Sequence, residues 1–258
     1  MLALPPAAAW LFLYCVSTCQ SRLHFRMADA SALRPQVVAG HTRLVAEGSD
    51  APTNSDDKPW HEKAHYPELH VRVFQSDAAP GQPKRFKAVC DAPFAAEDVI
   101  QLIRDYGSRA VPWAPNIAES SIAPLGDPID GLQLCLQYCV TRAMFGVSSR
   151  DFLTVMAEVP LASGGWVRGG VGIEAHASHP PRDGVVRGLN YTSGWIVTPV
   201  APGHSRVVYI AHSDPRGWLP HWVVATAMGG TFKTFFEGLL STLASAASEA
   251  STRQSAPA

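Results

Sequence analysis

Three groups of side chains in this 258-residue chain are of types that do chemistry. Arg150, Asp151 and Arg187 offer charges able to steer a proton or hold an anion. His61, His65 and His70 form the densest cluster of the ten histidines, and His176 with His179 makes a closer pair. A zinc site at either place needs Cys or carboxylate ligands at matching spacing; neither has them, so both read as solvated surface. The third group is five cysteines, Cys15, Cys19, Cys90, Cys135 and Cys139. On a shared strand Cys135 and Cys139 lie about 13 Å apart, beyond disulfide reach, and read as free thiols of a reducing compartment. The sequence holds no nucleophile elbow, phosphate loop or Cys-x-x-Cys, so no catalytic residue, metal or cofactor is assigned.

The elements that must position these groups follow from hydrophobic periodicity. With 47% hydrophobic residues and no linker after Trp60, one domain over residues 59–247 is expected. A formal net charge of -1 lacks the basic footprint of a nucleic-acid binder. Residues 60–65 read as the end of a short helix, 69–74 and 85–90 as strands, and 95–106 as a helix stopped by Gly107. Residues 132–140 alternate, with Leu132, Leu134, Leu136, Tyr138 and Val140 on a greasy face and Gln133, Cys135, Gln137 and Cys139 on a mixed one. Five further strands over 152–212 are separated by Gly, Pro, Asn and His, which suits antiparallel connection. After Pro220, the residues Val224, Met228, Phe232, Phe235 and Leu239 mark one face of a long helix. Gly229-Gly230 inside it costs roughly 1 kcal/mol per glycine relative to Ala, marking a soft point or a close packing contact. Residues 1–58 read as a disordered segment and 248–258 as a flexible tail. The apolar run 2–16 lacks a basic lead and contains Pro5-Pro6, so a start at Met27 and a cytoplasmic protein are favoured over a secretory signal.

Four short signals occur in one order: Arg150-Asp151-Phe152, Val186-Arg187-Gly188, Gly194-Trp195-Ile196-Val197-Thr198-Pro199, and Asp214-Pro215-Arg216-Gly217-Trp218-Leu219-Pro220. With the terminal helix they resemble the START domain, over roughly residues 60–243. Trp113-Ala-Pro departs from the Trp-Asp common in that family, so nothing is carried to Ala114. The resemblance implies an α+β helix-grip fold, a strongly curved antiparallel sheet closed by the C-terminal helix around a hydrophobic tunnel. It also implies non-catalytic binding and transfer, or sensing, of one lipid by a monomer, since burying a long chain yields on the order of 10 kcal/mol gross. Gln137, Cys139, Phe152, Thr154, Met156, Trp195 and Tyr209 are then expected to line the tunnel, with Val224, Met228, Phe232, Phe235 and Leu239 from the helix and Arg187 at a headgroup. Arg150, Asp151 and Arg187 otherwise serve as supports of the sheet.

Sterol carriers of this family hold a buried acid and Arg that fall, by counting, at Gln137 and Met156. Losing one charge strands the other at about 3–5 kcal/mol, whereas losing both is close to neutral. The paired change favours a phospholipid or sphingolipid over cholesterol. Met144 and Phe145, at the tip of the loop 141–149, are expected to touch a membrane transiently. Two alternatives stand beside this: a cyclase- or aromatase-like enzyme using Tyr209 and Arg187, and a lipid-gated interaction module whose partner binds the N-terminal segment.

Overall fold

Side chains alternate across a strand, and here both faces so defined are apolar. The computed structural model describes residues 30–49, 54, 57–78, 80–105, 113–143, 147–219 and 221–255. The strands are β1 (His61–Tyr66), β2 (Val71–Ser76), β3 (Arg85–Ala92), β4 (Ile117–Pro124), β5 (Cys135–Thr141) and β6 (Arg150–Pro160). They continue as β7 (Trp166–Ile173), β8 (Val186–Arg187), β9 (Leu189–Asn190), β10 (Ser193–Ala201), β11 (His204–Ala211) and β12 (Ser213–Asp214). The main sheet runs β1-β2-β3-β11-β10-β7-β6-β5-β4 with antiparallel neighbours, so β1 and β4 stay as open edges. β8 pairs in parallel with the first two residues of β6, and β9 with β12 forms a separate ribbon. The stretch 60–65, expected as a helix end, enters β1 instead; pairing with β2 overrides the local pattern and half-buries Ala64 and Tyr66.

The inner face carries Val73 and Ala88 from β2 and β3, Trp195 and Val197 from β10, and Val207 and Ala211 from β11. Over it lie α2 (Ala96–Arg104), which buries Val99, Ile100 and Ile103, and α3 (His221–Ser255), which buries Phe232, Phe235, Phe236, Leu239 and Leu243. Gly238 lets α3 settle on the backbone at Trp113, since a Cβ there would sit 2.1 Å from the Trp113 carbonyl oxygen. The last residues, expected as a flexible tail, are helical through Ser255, and no described side chain after Leu243 is buried.

The outer face is covered by α1 (Ala30–Gly48), which corrects the expectation of disorder before residue 59. Its buried stripe is Leu33, Val37, Gly40, His41, Leu44 and Glu47, a helical spacing in which half the members are not conventional core residues. Leu33 and Val37 pack on Leu136, Tyr138, Val155 and Ile173, and Leu44 on Val167, Ile196, Val208 and Ile210. Gly169 admits Leu44, whose Cδ1 would lie 2.2 Å from a Cβ at that position. The polar members are satisfied. The His41 Nε2–H group faces two carbonyl oxygens, Ala157 at 3.1 Å and Gly169 at 3.0 Å, which are register partners on β6 and β7. Burial lowers the His41 pKa, which favours the neutral ring. Glu47 pairs with Arg85 on β3, both side chains 2% exposed, and its carbonyl caps the helix end by accepting from Lys87 Nζ at 3.1 Å. Glu47→Ala leaves Arg85 buried beside no carboxylate from α1 and should cost about 3–5 kcal/mol, whereas Glu47→Met with Arg85→Met should unfold near the wild-type midpoint. Urea denaturation of the three chains measures both; a wild-type midpoint for the single variant would remove the pair from the docking of α1.

Candidate ligand-binding site

Inner-facing side chains of the sheet and one side of α3 do not meet everywhere, and between them lies a cavity of about 290 Å³. β5 supplies Gln137 and Cys139; β6 supplies Phe152, Thr154 and Met156. These alternate with Leu136, Tyr138, Leu153 and Val155, which face α1, so the greasy face of β5 is not the cavity face. Trp195 from β10, Tyr209 from β11, and Met228, Phe232 and Phe235 from α3 complete the expected lining.

One wall is aromatic. Trp195 stacks on Tyr209 with centroids 4.2 Å apart and on Phe235 at 5.3 Å, while Trp113 meets Phe235 edge-on at 4.8 Å. The opposite wall is polar. Asn190 Nδ2 donates to Thr154 Oγ1 at 2.9 Å, and Ser213 Oγ donates to Asn190 Oδ1 at 2.6 Å, a chain set by the opposition of Ser213 and Asn190 in the β9–β12 ribbon. The Gln137 amide and the Tyr209 hydroxyl make no hydrogen bond to a described residue, so both are open to a ligand. Cys90, Cys135 and Cys139 are free thiols, and burial pushes the Cys90 thiol up to about 12.

Two expected residues lie elsewhere. Arg187 stands opposite Asp151 in the β6–β8 pairing and clasps it, Nε to Oδ1 at 2.8 Å and Nη2 to Oδ2 at 2.9 Å. Asp151 follows the outer register, opposite to Phe152, and also accepts from the Tyr138 hydroxyl at 3.1 Å, so the guanidinium braces the sheet and is absent from the cavity wall. Leu239 is fully buried in the core, next to Gly238, where α3 closes on Trp113. Val224 lies in α3, but its side chain is outside the described residues, as are Met144 and Phe145 entirely. Among the described residues no three His, Cys, Asp or Glu side chains are grouped to hold a metal ion. His179 stacks on Tyr138 at 4.2 Å beside an outer crevice of about 410 Å³ that Glu119 and Arg182 also line.

Sequence reasoning missed several lining groups, above all Arg168 and Asn190. On β7 the inner register is Trp166, Arg168 and Gly170, so alternation alone would have turned Arg168 inward once Trp166 was placed in the core. Asn190 sits in a two-residue strand that no periodicity marks.

The Tyr209 hydroxyl is raised to about 12, first by burial and then by its neighbour Cys139. Its unfolded value is about 10, so the neutral form is favoured in the folded state. The stability it contributes is fully present below pH ~10 and is lost as pH rises through about 12. The melting temperature should therefore fall between these limits, and less steeply in Tyr209→Phe. Identical alkaline slopes in the two proteins would contradict this placement of the hydroxyl.

The START domain family model matches residues 53–248. START domain-containing protein 10 of Mus musculus and of Homo sapiens are each 28% identical over 155 residues, 60% of this chain. That match takes in 50% of each relative, so the chain spans about half the length of the curated relatives it matches. Human StAR-related lipid transfer protein 5 superposes with a TM-score of 0.68 at 20% identity, covering 82% of this chain and 96% of that one. Human STARD10 superposes with a TM-score of 0.62 at 18% identity, covering 83% and 81%. At such identities the superpositions establish the helix-grip fold.

Proposed function

This chain belongs to the START domain family, and we propose that it binds one hydrophobic lipid without chemistry and carries or senses it at a membrane surface. The observation that supports this reading best is the cavity itself, enclosed by Phe152, Trp195, Tyr209, Phe232 and Phe235 between sheet and helix. An apolar void of that kind is costly when empty and stabilising when filled. Its volume of about 290 Å³ is at the low end of the ~300–1,000 Å³ range of ligand sites, so a long-chain lipid enters as α3 moves outward. Gly229 and Gly230 suit that movement. Among the described residues a Cβ at Gly230 would meet nothing within 4 Å, and one at Gly229 only the Tyr66 hydroxyl at 3.8 Å, so packing on them does not require either glycine.

The preferred cargo in this reading is a phospholipid or sphingolipid. Gln137 and Met156 stand where a sterol carrier would place its acid and Arg, and an uncharged Gln137 amide can serve a hydroxyl, amide or ester. In a vesicle exchange assay, cholesterol should be outcompeted by both lipid classes; cholesterol winning would reverse the assignment.

No helix among the described residues is long and apolar enough to cross a membrane. In this reading a monomer meets the membrane at its surface. Met144 and Phe145 remain the proposed contact, and Trp218 joins them: it is 94% exposed, three residues before α3 begins. Trp218→Ala should slow lipid transfer between vesicles severalfold while equilibrium binding of lipid in detergent is kept. Unchanged transfer would take Trp218 out of the mechanism.

A further inference from the structure

The charge expected to be missing from the cavity re-enters it from a neighbouring strand. Arg168 on β7 is 3% exposed and reaches Met156, its Nε 3.3 Å from the Met156 sulfur, at the very position where counting placed an Arg in sterol carriers. Its Nη1 donates to the Ile103 carbonyl oxygen at 2.8 Å. Arg168, Met156 and Ile103 all line the cavity, so this guanidinium is part of the wall. The acid beside it, Glu158, stands outside the cavity wall. Among the described residues the lining holds two cations, Arg168 and Lys84, and no carboxylate. Lys84 is half exposed and lies 3.3 Å from Asp77. Glu158 lies 3.7 Å from Arg168 Nε, but it is not in the cavity wall; it accepts from Arg104 Nε at 2.9 Å and Trp166 Nε1 at 3.3 Å and is one-third exposed.

A thioether is a weak acceptor, and a carboxylate or phosphate oxygen offered to the same Nε–H makes a far stronger, charge-assisted bond. An uncharged lipid offers that Nε–H no charged acceptor from inside the cavity. We propose that Arg168 anchors the anionic head of the cargo, a carboxylate or a phosphate, at the buried end of the cavity, with the chain against Trp195, Tyr209 and Phe235. This rests on the lipid-carrier reading and narrows it to anionic lipids.

The test is calorimetric titration of the full chain with palmitate, 1-palmitoyl lysophosphatidate and monopalmitoylglycerol, all below their aggregation limits. Both anions, or one of them, should bind at least ~10-fold more tightly than the neutral lipid, and the tighter one identifies the head as carboxylate or phosphate. Arg168→Gln should bring that ratio close to one, Arg168→Lys should keep part of it, and Arg104→Gln, removing a cation that is not in the cavity wall, should leave it intact. Equal affinity of the wild type for anionic and neutral lipids overturns the anchor while sparing the carrier reading, and it does so whether or not Arg168→Gln folds. A ratio unchanged in a folded Arg168→Gln, or lost equally in Arg104→Gln, also overturns it. Failure of every lipid to bind the wild type removes the carrier reading and the anchor together.

Discussion

A sheet that is apolar on both faces must be covered twice, and that constraint organises the chain from α1 to the last buried residue of α3. α1 and α3 take opposite faces for different reasons. On the outer face Leu33, Val37 and Leu44 sit directly on strand side chains, and even His41 and Glu47 are drawn in and satisfied there. On the inner face α3 spans the concavity of a curved sheet. It closes tightly at Gly238 and Trp113 and less tightly at Met228 and Phe232. The cavity is what remains where a straight helix meets a curved surface.

The arrangement divides rigid from movable parts. Asp151 ties β6 to β8 through Arg187 and β5 through Tyr138, and Arg150 reaches the Pro215 carbonyl oxygen at 3.4 Å, fixing the segment that leads into α3. These charged groups recur in the motifs read from the sequence because they hold strand ends in place. The groups able to meet a ligand, Gln137, Thr154, Asn190 and Tyr209, stand on strands braced in this way. Opposite them is a helix carrying two adjacent glycines that no contact with the described residues demands.

Much of this was legible in the residues. Alternation over residues 132–140 put Gln137 and Cys139 on one face, the family resemblance added Phe152, Thr154 and Met156, and the spacing of Met228, Phe232 and Phe235 put them on one side of a helix. The edge strand β1 was not legible, because its partner β2, not its own pattern, makes it a strand. Nor was α1, whose stripe is visible only once Gly40, His41 and Glu47 count as buried positions, and that depends on carbonyls of β6 and β7 and on Arg85. Arg187 was read both as a headgroup contact and as a support of the sheet; its parallel pairing with β6, which a two-residue strand does not announce, makes it the support. Arg168 was overlooked because charge was sought at two counted positions and not along β7.

The seat of α1 has a bearing on the order in which the molecule assembles. The early tie is short: Glu47 and Arg85 are 38 positions apart. The others are long, with His41 meeting carbonyls 116 and 128 residues later, and Leu44 packing on Ile196, Val208 and Ile210 of strands still farther on. A chain emerging from its N-terminus thus displays α1 well before the surface that receives it exists. High contact order of this kind slows folding, because loop closure over long separations precedes the contacts that reward it. In the nascent chain α1 can make its first anchor to β3, and the outer layer is completed only when β10 and β11 have paired.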